Sequence, residues 1–403
     1  MRPSRADWRE AGGADPIDEA LGRRPRPPAR PNVIQRWLRP LKNRAALGLA
    51  PAAAPALVFV PLGMLLGPHA LNVLSPLTLA YLDTAVSVAL AVLGVFVGLA
   101  VDLKGERQRR LLGAASVEAL LTVGIVAVAF WFLLSGWQMP LGLPTALVGL
   151  ALGVSASASA ALWHEDAPDD AHLAASRIAD FDDLVPILLG GFVVARVTAA
   201  PGTGWLESVA DLGITMALGL GIGFAGMLLF ERAHSRAERN VFIAGIVALL
   251  GGATAYLALS PLLAGLAAGM LWTLTPGGAD EVVREDLRRI QHPLIVLLLL
   301  VAGALCTYSL AAVWLCAPLV LFRLAGKLAG GWVASRMERE LTPGDLGAHL
   351  VAPGLFGIAF MLNVRQVLEV PGATALLTAV VVGTLASEAL AVLLSPAQED
   401  DAP

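Results

Sequence analysis

Apolar runs about twenty residues long recur through this 403-residue chain, and no other feature limits its fold so strongly. A helix of about 20 apolar residues spans the hydrocarbon core of a bilayer. Within that core each backbone N–H and C=O must find a partner inside the protein, which helices provide. Twelve such stretches are expected, at about 47–67, 80–101, 112–134, 142–163, 173–197, 209–230, 241–258, 260–275, 291–309, 312–335, 349–368 and 372–395. Only 15% of the residues are charged, against about 25% in soluble domains. The predicted class is an all-α integral membrane protein. The pairs 241–258/260–275 and 291–309/312–335 are separated by so few residues that each reads as a tight helical hairpin.

The basic residues set the orientation, because Lys and Arg gather in cytoplasmic loops. They cluster in the N-terminal tail, in loop 102–111 (Lys104, Arg107, Arg109, Arg110), and in loop 231–240 (Arg232, Arg236, Arg239). They cluster again at Arg284, Arg288 and Arg289 and at Arg336 and Arg339. The alternate loops are nearly free of them. That pattern predicts a multi-pass protein of the plasma (inner) membrane with both termini in the cytoplasm. Residues 1–45, rich in Arg and Pro, are expected to be disordered, and 397–403 form a short acidic tail. Within the first tail, residues 33–40 read either as an interfacial helix or as a solvated linker. No cleavable signal peptide is expected. Residues 46–396 form the transmembrane domain. Cys306 and Cys316 read as packing residues. No Walker loop, dinucleotide fingerprint or metal-type Cys/His spacing is present, and no nucleophile–base pair stands out. The expectation is a non-enzyme without a cofactor.

One stretch breaks the apolar pattern: Asp180-Phe181-Asp182-Asp183-Leu184-Val185-Pro186 places three carboxylates inside the fifth span. Charges at mid-depth cost about 2.5–3.5 kcal/mol each on insertion scales and usually mark an ion or proton path. Helix phase puts Asp180 and Asp183 on one face and Asp182 about 100° away. Pro186 has no N–H to give the Asp182 carbonyl, so carboxylate and free carbonyl together offer hard oxygen ligands for an alkali cation. A carboxylate buried beside another favours its neutral form, so a proton and a cation compete for such a site. Depth ranks Asp183 first and Asp182 second, with Asp180 an approach residue. Lys327, deep in the tenth span, is the candidate partner base, because a buried lysine exchanges its proton readily. Arg323, four residues earlier on the same face, is a fixed charge. Asp83, Glu118 and Glu388 are other intramembrane acids, ranked low for a direct role. His164, His172, His234, His292 and His349 read as solvated loop residues.

Two further spans are weak helices. The fourth carries Ser155, Ser157 and Ser159 among small residues, and the eleventh carries Pro353, Gly354 and Gly357. Both are candidates for unwinding, and interrupted helices of this kind point to a transporter's binding site. They lie seven spans apart, not six, which leaves a repeat boundary unresolved.

In their order and spacing these residues resemble the monovalent cation:proton antiporter superfamily, in particular its Kef-like and bacterial Na⁺/H⁺ antiporter branch. The likeness is carried by Gly63-Met64-Leu65-Leu66-Gly67-Pro68, by Gly98-Leu99-Ala100-Val101-Asp102, by the serine run, by Asp182-Asp183, and by Arg323 with Lys327. The resemblance implies inverted repeats, two discontinuous crossing helices and a homodimer whose core domain moves like an elevator. It implies exchange of Na⁺ or K⁺ for H⁺, with Asp183 binding the ion, Asp182 beside it and Lys327 as partner base; the Asp-Asp pair implies electrogenic exchange. Asp180 and the serines, where the family commonly has Thr, depart from the pattern. A channel-like or symport K⁺ pathway on the same fold, and a transport-dead sensor or scaffold, are the alternatives.

Overall fold

The computed structural model describes residues 53–101, 105–137, 141–159, 170–199, 204–275, 279–368 and 370–394. The N-terminal tail, the acidic C-terminal tail and His164 lie outside the described residues. The helices are α1 (Ala53–Leu66), α2 (Pro76–Ala100), α3 (Glu106–Trp137), α4 (Thr145–Ser157), α5 (Asp170–Phe181), α6 (Leu184–Thr198) and α7 (Trp205–Arg232). They continue as α8 (Arg236–Tyr256), α9 (Pro261–Leu274), α10 (Ala279–Leu305), α11 (Leu310–Met337), α12 (Leu346–His349), α13 (Phe356–Val367) and α14 (Pro371–Leu394). Each of the twelve apolar stretches carries helix, ten as one element and two as a broken pair. Among the described residues, six helices, namely α2, α3, α7, α8, α11 and the Gly372–Leu390 part of α14, are long and apolar enough to cross a membrane.

Local chemistry sets the helix starts. Ser75 and Ser260 accept from the backbone N–H groups of Thr78 and Leu263, and a proline follows each as the first helical residue. Pro is favoured there because its missing N–H is not needed. Ser235 caps α8 by accepting from Glu238 N, and Glu238 accepts in return from His234 N, a reciprocal pairing that satisfies two end donors. Ser309 caps α11. The two expected hairpins form: residues 257–260 join α8 to α9 and residues 306–309 join α10 to α11. Ala258 takes a left-handed φ of 53° to make the first of these turns.

Small residues let the helices meet backbone to backbone. A Cβ on Gly94 or Gly265 would lie 2.1 Å from the carbonyl oxygen of Leu262 or Ala91, respectively. Thus α2 and α9 pack at a distance that no side chain there would permit. The same holds for α1 and α10, where a Cβ on Gly63 or Gly303 would lie 2.2 Å from Leu300 O or Val60 O. The two glycine motifs of the N-terminal spans are therefore seam residues. Around them, Leu90, Val95, Leu263 and Leu266 are buried, while α3 packs on α4 and α11.

The fifth span departs from the expected single helix. It breaks at Asp182–Asp183 into α5 and α6. The amide of Asp182 still donates to Ile178 O and that of Ile187 to Asp183 O. Pro186 withholds the donor for Asp182 O.

Candidate functional site

Four elements converge at this break. The fourth span ends its helix at Ser157 and runs on extended through Ala158 and Ser159. The eleventh is α12, an extended stretch, and then α13. These two unwound stretches touch in an antiparallel bridge between Ser159 and Pro353, and Gly354 N donates to Ala158 O at 3.2 Å. Gly357 is needed for the approach, since a Cβ there would lie 2.2 Å from Ser155 O. Helix is absent at Ser159, Pro353 and Gly354, whereas Ser157 is the last residue of α4. Ser155 stays inside α4 with its hydroxyl donated to Leu152 O, and Gly357 lies inside α13.

Unwound backbone in an apolar interior needs donors, and α11 supplies them. Buried Arg323 donates through Nη1 to Val351 O at 3.1 Å and through Nη2 to Ala158 O at 2.7 Å and Ala352 O at 3.4 Å. Its hydrogen bonds among the described residues go to backbone carbonyls of both unwound stretches. Arg323 thus hydrogen-bonds the backbone, while Lys327 hydrogen-bonds the acids.

One turn on, Lys327 is wholly buried, so it does not extend to the interface. Its ammonium donates to Asp182 Oδ2 and, at 3.2 Å, to Glu118 Oε2. Asp182 and Glu118 are wholly buried as well. Ser159 Oγ donates to Asp182 Oδ2 at 2.8 Å, and Thr122 Oγ1 donates to Glu118 Oε1 at 2.8 Å. Glycines admit this contact: a Cβ on Gly330 would lie 2.9 Å from Glu118 O, and one on Gly326 3.2 Å from Thr122 Cα. Asp182, rather than the first-ranked Asp183, is the aspartate that Lys327 holds.

Asp183 occupies the N-cap position of α6 without a capping hydrogen bond. Among the described residues, Asp182 Oδ1, Asp183 Oδ1 and Ser157 Oγ are buried without a hydrogen-bond partner. All three belong to, or stand within two residues of, the Ser159–Asp182 hydrogen bond. Asp180 lies 3.9 Å from Arg177 on a half-exposed face. Glu388 is buried on α14 with Oε2 unpartnered among the described residues.

Glu118 was ranked low because its span was expected to begin at 112, near the inner surface. Helix α3 begins at Glu106, which carries Glu118 about 18 Å along the axis. A signal existed in the sequence: Thr122 stands at i+4, on the same helix face.

A search of family models finds no match for this chain, and no curated protein sequence matches it. Solved structures do match. The sodium proton antiporter MjNhaP1 from Methanocaldococcus jannaschii, solved at pH 8, superposes with a TM-score of 0.59 at 14% identity. The match covers 84% of this chain and 89% of that one. The fold of this chain is similar to that of this sodium proton antiporter.

Proposed function

We propose that this protein is a secondary transporter that exchanges a monovalent cation, Na⁺ or K⁺, for protons by alternating access. In this reading the twelve stretches are twelve spans arranged as inverted repeats, the termini are cytoplasmic, and the protein is a dimer in the plasma membrane. Asp183 and Asp182 bind the cation or protons in turn, and Lys327 is the partner base. One observation carries the reading. Asp182, neutralised by Lys327 and joined to Ser159 of the unwound fourth span, keeps a buried oxygen without a hydrogen-bond partner, and so does Asp183, the next residue. A buried anionic oxygen without a donor is costly, and it persists where a proton or cation periodically satisfies it. Hard oxygen atoms from Asp182, Asp183 and Ser157 suit an alkali cation better than a soft metal.

Vesicles carrying an internal pH dye test this. Addition of Na⁺ or K⁺ to everted vesicles is expected to alkalinise the lumen, and Asp183→Asn to abolish the signal while leaving the purified protein folded. An intact signal in that variant would remove Asp183 from the site. Absence of any response of the unaltered protein to Na⁺, K⁺ and Li⁺ between about pH 6 and 9 would remove the exchange reading itself.

A further inference from the structure

Lys327 meets two carboxylates, and exchange at the aspartates requires one. A buried ammonium in a low-dielectric interior needs a counter-charge at all times, because an unpaired buried charge is far more costly than a paired one. Glu118 is built to provide it. It lies on a different helix from Asp182, and Thr122 holds its Oε1 at 2.8 Å while Oε2 faces Lys327 Nζ at 3.2 Å. Its backbone is pressed against Gly330 of α11, so α3 and α11 present glutamate and lysine to each other across a tight seam. The charged groups that act on Glu118 are Lys327 and Arg323 from α11 and Asp182 from the α5–α6 break; α4, which also packs on α3, has no titratable residue.

We propose that Glu118 is a standing counter-ion that keeps Lys327 paired when Asp182 lets go of it. Asp182 is then free to turn to a proton or a cation without stranding a charge. Glu118 acts through Lys327 and is a positioning residue. This inference rests on the exchange reading for its purpose but not for its test.

The test is a mutant cycle on purified full-length protein, read by thermal unfolding at fixed pH and detergent. Asp182→Asn imitates an aspartate that has given up the lysine. Glu118→Gln alone and Asp182→Asn alone each leave the ammonium one carboxylate and are expected to lower the midpoint modestly. The double variant leaves it none, and its loss is expected to exceed the sum of the two single losses. Adding Lys327→Met to the double variant removes the stranded charge and is expected to recover part of that loss. Glu118→Asp is expected to lie between Glu118→Gln and the unaltered protein. Additive single losses, or a Lys327→Met change that recovers nothing, would overturn the proposal. A double variant too unstable to purify alone, but purifiable with Lys327→Met added, supports it; failure of both to purify counts as no recovery and overturns it. Vesicles that show no exchange by the unaltered protein would defeat the transport reading and leave this cycle to decide the role of Glu118.

Discussion

The seam between α2 and α9 and the crossing of the fourth and eleventh spans solve the same problem by opposite means. Both bring backbones into contact inside an apolar interior. At the seam the helices are intact, and closeness comes from omitting side chains at Gly94, Gly98, Gly265 and Gly269. At the crossing the helices are broken, carbonyls are freed, and closeness is held by donors lent from α11. Among the described residues, the seam leaves no buried side-chain nitrogen or oxygen without a partner. The crossing retains unpartnered oxygens at Ser157, Asp182 and Asp183, among the described residues, beside a fully paired arginine. A packed seam resists change; a crossing held by side-chain donors can be rearranged by moving them.

The largest effect that would break this contrast is expected at Arg323. Arg323→Met leaves the carbonyls of Ala158, Val351 and Ala352 without their guanidinium donors. Removing one side of a buried charged network costs about 3–5 kcal/mol, so the thermal midpoint of the purified protein is expected to fall steeply. If Arg323→Met unfolds near the unaltered midpoint, the crossing is not held by α11. Next comes the seam. Gly265→Ala forces a methyl to 2.1 Å from Ala91 O, where only backbone can give way. Overpacking of this kind costs typically about 1–3 kcal/mol. The same midpoint measurement checks it, and a neutral result would mean that α2 and α9 separate easily.

The seam was easier to read in the sequence than the crossing. Twenty-residue apolar runs dictate helices, and the glycine motifs Gly63–Gly67 and Gly98 stood out as patterns, although their partner helices could not be read from them. The weak fourth and eleventh spans were legible too, because serine, glycine and proline each weaken a helix for a local reason. The partners inside the site were not legible. Treating the fifth span as one helix fixed a phase that placed Asp182 and Asp183 on different faces. Depth and phase ranked Asp183 first, while geometry gave Lys327 to Asp182. Glu118 was missed for a related reason: its depth depends on a helix start that hydropathy put six residues late. Arg323 reads as a charge four residues from Lys327, but which carbonyls it serves depends on two stretches far apart in sequence meeting at Ser159 and Pro353.

The smallest expected effect probes what lies outside both regions. Helix α7 presents Trp205, Leu206, Ile214, Leu220 and Phe224 outward. Gly221 is exposed on it, and a Cβ there would meet nothing within 4 Å. If lipid covers this face, Gly221→Ala fills open space and reduces the freedom of the unfolded chain. It should then raise stability by about 0.5–1 kcal/mol, the usual gain of alanine over glycine inside a helix. If a second copy of the chain packs its backbone against α7, as the α2–α9 seam is packed, the same methyl should lower the midpoint and loosen the dimer. Thermal unfolding and cross-linking of Gly221→Ala, measured together, separate the two. A small rise with unchanged cross-linking assigns the face to lipid, and a fall with lost cross-linking makes α7 a third glycine-packed seam, this one between subunits.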